Sequence, residues 1–143
     1  MFGTWLAVAS GLPSPRSLPV AAVPLLTAIL ETLLRAQGFK QFEVMLPALA
    51  NSDLPTRERR ELLGEIYLRH GFLASAATEW MAVCADRPDA AALLGLARVA
   101  VANDQPQDAA VFASGALELE SENVAATELL ARVQNVQPSV NQP

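Results

Sequence analysis

Few residues in this chain of 143 are of a type and spacing that could do chemistry: one cysteine, one histidine and a charged run, TRERRE, at 56–61. Cys84 stands among Trp80, Met81, Ala82, Val83 and Ala85 with no base near it in sequence. A thiol in that company is a small hydrophobe, because a reactive thiolate needs positive neighbours or a helix N-terminus. His70 has no second ligand nearby, so it does not predict a metal site. One histidine also cannot anchor a nucleophilic triad. A Gly-rich phosphate loop, HExxH, paired cysteines and a nucleophile elbow are all missing from the sequence. The expectation is a non-enzymatic protein with no catalytic residue, no cofactor and no metal. A lone cysteine allows no intrachain disulfide, which points to the cytoplasm.

Charge narrows the partners. The net charge of −5 disfavours nucleic acid and anionic membrane surfaces, both of which need a basic field. TRERRE is not a basic patch, since Glu58 and Glu61 neutralise much of it. It reads as a helix start. Two apolar stretches need testing as membrane segments. MFGTWLAVASGL lacks a basic flank and is short for a leader. VAAVPLLTAILETLL is broken by Pro24 and Glu31 and is shorter than the roughly 20 residues of a span. The protein is expected to be soluble.

The elements that must position the remaining side chains are helical. The apolar fraction of 52% is largely alanine, with 6% aromatics, a composition that favours helices over strands. The alanine excess also predicts closely packed helices. Chain breakers recur with a fixed period: Gly38 and Gly71 are 33 residues apart, as are Pro55 and Pro88, and a further step reaches Asp104 and Ser121. Such a period marks a helical repeat with two helices per unit. The spacing predicts helices over 24–37, 41–51, 56–70, 73–85, 89–103, 106–119 and 123–133. Thr56 and Asn123 are expected to cap helices, and Pro106 suits a first turn. Pro47 should kink its helix or make it start late. Residues 1–22 form an apolar start, FGTWLAVA, and a Pro/Ser linker. Residues 23–134 form the helical domain, and 135–143 a flexible tail. The apolar start could be a short helix packed on the body or the remnant of a preceding domain.

In the central unit Leu63, Gly64, Tyr67, Gly71, Ala76, Trp80 and Pro88 have separable packing roles. Leu63 and Tyr67 share a helix face, and Gly64 is small where a neighbour must come close. Gly71 ends a helix in the left-handed conformation. Ala76 and Trp80 form the facing stripe of the next helix. This pattern resembles the tetratricopeptide repeat (TPR). The resemblance is good over 57–89, moderate over 90–122 (Leu96, Ala97, Ala100, Ala109, Ala113, Ala116) and weak over 24–56. Glu31 and Pro47 depart from the pattern in that first unit. The resemblance implies an all-α fold: a short right-handed α-solenoid of about three helix-turn-helix repeats, closed by a cap helix at 123–133.

By the same resemblance, the first helix of each repeat lines a concave groove that holds a peptide or partner helix. The groove residues would be Thr32, Arg35, Glu58, Glu61, Glu65, Arg69, Arg98 and Ala102. The paired Lys and Asn residues that grip a chaperone's C-terminal carboxylate are missing from these positions. The acidic strip of Glu58, Glu61 and Glu65 predicts a partner that presents positive charge. Two other readings stand beside this one. The chain could be the C-terminal scaffold of a larger enzyme, such as a bacterial glycosyltransferase, or a structural homo-oligomer joined through its N-terminal apolar segment.

Overall fold

A computed structural model describes residues 18–136. The expectations for the first 17 residues and for 137–143 lie outside the described residues. Among the described residues seven α-helices follow one another: α1 Val23–Arg35, α2 Phe39–Ala50, α3 Thr56–Arg69, α4 Leu73–Asp86, α5 Ala90–Ala102, α6 Pro106–Leu119 and α7 Val124–Val136. A single 3₁₀ turn, Val20–Ala22, leads into α1. Among the described residues there is no strand, and one isolated parallel bridge pairs Leu18 with Ser52. No described helix is long and apolar enough to cross a membrane.

Local signals account for most of the helix ends. The Asp89 side chain accepts a hydrogen bond from Ala92 N at 3.0 Å, and Asn123 Oδ1 accepts one from Ala126 N at 2.9 Å. Each supplies a partner to a backbone N–H that the helix itself leaves without one. Pro106 is the first residue of α6, where its missing N–H costs nothing. Thr56 differs from expectation. It is itself the first helical residue, and the carbonyl of Pro55 accepts from Arg59 N at 2.9 Å. Pro47 also differs, because α2 begins at Phe39 and runs past Pro47 to Ala50. Pro47 lies in the last turn, so few following residues depend on the hydrogen bond it cannot donate.

The turns inside the units repeat in detail. After α3, Gly71 N donates to Leu68 O at 3.2 Å and Phe72 N to Tyr67 O at 2.9 Å. After α5, Asp104 N bonds Val101 O at 3.1 Å and Gln105 N bonds Ala100 O at 2.8 Å. After α1, Gln37 N bonds Leu34 O at 3.1 Å and Gly38 N bonds Leu33 O at 2.7 Å. Each is the same pair of closing bonds around a left-handed residue, with φ of 82° at Gly71, 58° at Asp104 and 61° at Gln37. The sequence expectation put the first of these turns on Gly38. Gly38 instead has φ −82° and sits where Phe72 sits in the next unit. The first turn is therefore one residue out of the 33-residue step.

The chain divides into two compact units, residues 1–59 and 60–143, with the division inside α3. In the first unit α1 packs on α2. Val23, Leu26, Leu30 and Leu34 of α1 are buried at helical spacing, with Phe42 and Leu49 of α2. In the second unit α4 packs on α5, α5 on α6, and α7 on both α6 and α5. Its core is built on small residues. Ala97 and Ala100 of α5 meet Ala109 and Ala113 of α6, with Leu129 and Val133 of α7 alongside. Ala116 and Ala126 join Ala90 in a further cluster. Methyl-sized side chains let the helix backbones approach, which explains the alanine excess.

Candidate functional site

The second unit's candidate face is set by a buried tryptophan. Trp80 of α4 is 4% exposed and packs with Ala76, Val83, Ala92, Leu96 and Val99. Its indole lies between two glycines. A methyl group on Gly64 of α3 would stand 2.5 Å from Nε1, and one on Gly95 of α5 would collide with Cδ2 and Cε3 on the other part of the ring. No other residue type fits either position without displacing the ring. Two backbones thus close on one side chain, and that brings the outer faces of α3 and α5 to a common edge. The Trp80 Nε1 has no hydrogen-bond partner among the described residues, an omission that costs roughly 1–3 kcal/mol.

On α3, Leu63, Gly64 and Ile66 are buried, while Glu61, Glu65 and Arg69 recur every four residues on the polar face. Arg98 of α5 grips Glu65 with both guanidinium nitrogens, Nη1 to Oε1 and Nη2 to Oε2, the latter at 3.0 Å. The two residues are 33 apart, one step of the sequence period. Arg69 Nη1 lies 3.9 Å from Glu65 Oε2. Glu65 is therefore engaged by two cations instead of standing open in an acidic strip. The pair is half-exposed, with side chains 28% and 40% accessible, so water screens it and it contributes no more than about 1 kcal/mol. Its importance is positional, since a fork-to-fork contact fixes the register of α5 against α3.

Glu61 is half-buried and makes no ion pair among the described residues, and Ala102 is exposed at the end of α5. Thr32, Arg35 and Glu58 belong to the first unit. There the Thr32 hydroxyl donates to Ala28 O at 2.7 Å and accepts from Arg35 Nη2 at 3.2 Å. Glu58 is exposed in the first turn of α3, where the helix dipole favours an anion.

Sequence reasoning passed over two parts of this arrangement. Gly95 sits beside the Leu96–Ala97 pair and has no place in the repeat pattern. Arg60 of α3 and Glu79 of α4 form an ion pair at 3.3 Å. Burial, and next the negative charge of Glu79, raise the Tyr67 pKa above its ordinary value, so this hydroxyl stays neutral far above neutral pH. Among the described residues no three metal-ligating side chains converge. What the face offers is exchangeable ion pairs and donors, which suits recognition of a polar surface. The second unit also carries a groove away from this face. It holds about 520 Å³ between α4, α5 and α6, with Leu73, Met81 and Phe112 in its walls and Asp108 at its edge. Comparison with protein families, with curated proteins and with solved structures finds no match to the chain.

Proposed function

We propose that the chain is a non-catalytic interaction module made of helix pairs of the tetratricopeptide type, and that it binds a peptide or partner helix along α3 and α5 of its second unit. The observation that carries the reading is the Glu65–Arg98 pair. It joins two first helices at the period of the repeat, beside a tryptophan that both helices share. The three matching left-handed turns support the same assignment.

The partner presents positive charge. Glu58 and Glu61 make no ion pair among the described residues, and the net charge of −5 attracts a cationic segment from a distance. The partner can also compete for Glu65 by displacing Arg69, the longer of its two contacts. A cytoplasmic setting accords with the single half-buried cysteine. The test is an array of helical peptides of equal length that differ only in charge. Lys- and Arg-bearing peptides should bind the wild type and lose most of their binding to a Glu58→Lys, Glu61→Lys variant. Equal binding by acidic and basic peptides would refute the charge assignment.

A further inference from the structure

A small hollow lies where the end of α5, the start of α6 and the last turns of α7 meet. It holds about 200 Å³ and is walled by Val101, Asp104, Pro106, Arg132 and Val133. Val101 and Val133 belong to the apolar cluster that joins α5 to α6 and α7, so the fold itself fixes the floor. The space falls below the roughly 300–1,000 Å³ of drug-sized sites and suits a single short hydrocarbon group. The larger groove between α4 and α6 shares none of these residues.

The polar part of the wall decides what fits. Asp104 and Arg132 line the same hollow with opposite charges, yet they do not pair with each other. Arg132 also makes no ion pair with Glu128, one turn before it on α7. Asp104 is held at φ 58°, at the turn where the preceding unit has Gly71. Glycine adopts that conformation more cheaply, so a carboxylate stands here at a cost to the fold. An anionic ligand would leave Asp104 unanswered, and an amine would leave Arg132 so. The complementary molecule carries one charge of each sign and a short apolar body.

We propose that this hollow binds a free apolar α-amino acid of leucine size as its zwitterion. Its carboxylate meets Arg132, its ammonium meets Asp104, and its side chain rests on Val101, Pro106 and Val133. A leucine inside a protein partner carries neither charge, so the free amino acid is the occupant. The proposal does not depend on where a peptide binds.

The test is an amide chemical-shift titration of the full chain with L-leucine to about 50 mM, because two solvent-screened charge contacts bind weakly. Saturable shifts should centre on Val101, Asp104, Arg132 and Val133. Three analogues probe the parts: 4-methylpentanoate lacks the ammonium, 3-methylbutylamine lacks the carboxylate, and N-acetyl-L-leucinamide lacks both charges. Each single-charge analogue should bind about three- to fivefold more weakly than leucine. In Asp104→Gly, leucine and 4-methylpentanoate should bind equally, and in Arg132→Gln, leucine and 3-methylbutylamine should do so. Asp104→Gly keeps the turn, since Gly71 already makes the same one. Lack of a saturable shift, or a leucine preference indifferent to both substitutions, would overturn the proposal. Equal binding of the wild type by leucine and either single-charge analogue would overturn it as well. Equal binding by N-acetyl-L-leucinamide would overturn it in favour of an internal leucine of a protein partner.

Discussion

Gly95→Ala tests the indole cleft most sharply, because two effects of opposite sign act on it. In a solvent-facing helix, glycine to alanine gains about 1 kcal/mol from propensity. At Gly95 the added methyl would overlap Cδ2 and Cε3 of Trp80, and it would lie 2.7 Å from Cε2. The ring has no room to retreat, since moving away from Gly95 presses it toward Gly64, whose own methyl position is already 2.5 Å from Nε1. Overpacking of this kind costs about 1–3 kcal/mol, and a ring held on two sides belongs at the upper end. The net expectation is a loss of about 2 kcal/mol. Gly115→Ala is the control. Its nearest contact would be Leu93 Cδ1 at 3.3 Å, the rotatable end of a side chain, so propensity should win and stability should rise by about 0.5–1 kcal/mol. Urea denaturation followed by circular dichroism at 222 nm gives both values. Combining Gly95→Ala with Trp80→Phe should recover at least about 1 kcal/mol as a coupling term. If Gly95→Ala and Gly115→Ala proved equally stable, the placement of the indole between α3 and α5 would be wrong.

Other perturbations follow from the same contacts. Trp80→Ala should cost roughly 3–5 kcal/mol, read as a lowered melting midpoint, as truncation of a buried aromatic does. Tyr67 is the only tyrosine, so its ionisation can be followed directly by absorbance at 295 nm, and its midpoint should lie above about 10. Because its folded pKa is raised, the fold loses stability as pH climbs through that range and gains nothing below it, and Tyr67→Phe should abolish that alkaline slope. Gln37→Gly should raise stability by about 0.5–1 kcal/mol in the same urea assay, since a φ of 61° strains any residue with a Cβ.

Much of the fold was legible because helix ends are written locally. Pro106 and Asn123 act where their chemistry predicts, and the observed helices differ from the expected ones by a few residues at most. Gly71 was legible for the same reason, as a left-handed turn that glycine adopts cheaply. Gln37 was not, because the left-handed position depends on where α1 stops packing on α2 and not on where the nearest glycine lies. Gly95 was hidden for a related reason. A periodic pattern shows which face of α5 is buried, but not how an indole from α4 tilts across it. Glu65, Arg69 and Arg98 could be named through the family resemblance, which implies that they line one groove. That two of them would join in a forked ion pair could not be read from sequence, because it depends on the register of two helices a full repeat apart.

The central claim is that partners bind the α3/α5 face of the second unit. Amide chemical-shift mapping with a basic helical peptide chosen from the charge array tests it directly. The largest shifts should fall on Glu61, Glu65, Arg69, Arg98 and Ala102. Shifts centred instead on Leu73, Met81 and Phe112, in the groove between α4 and α6, would contradict it.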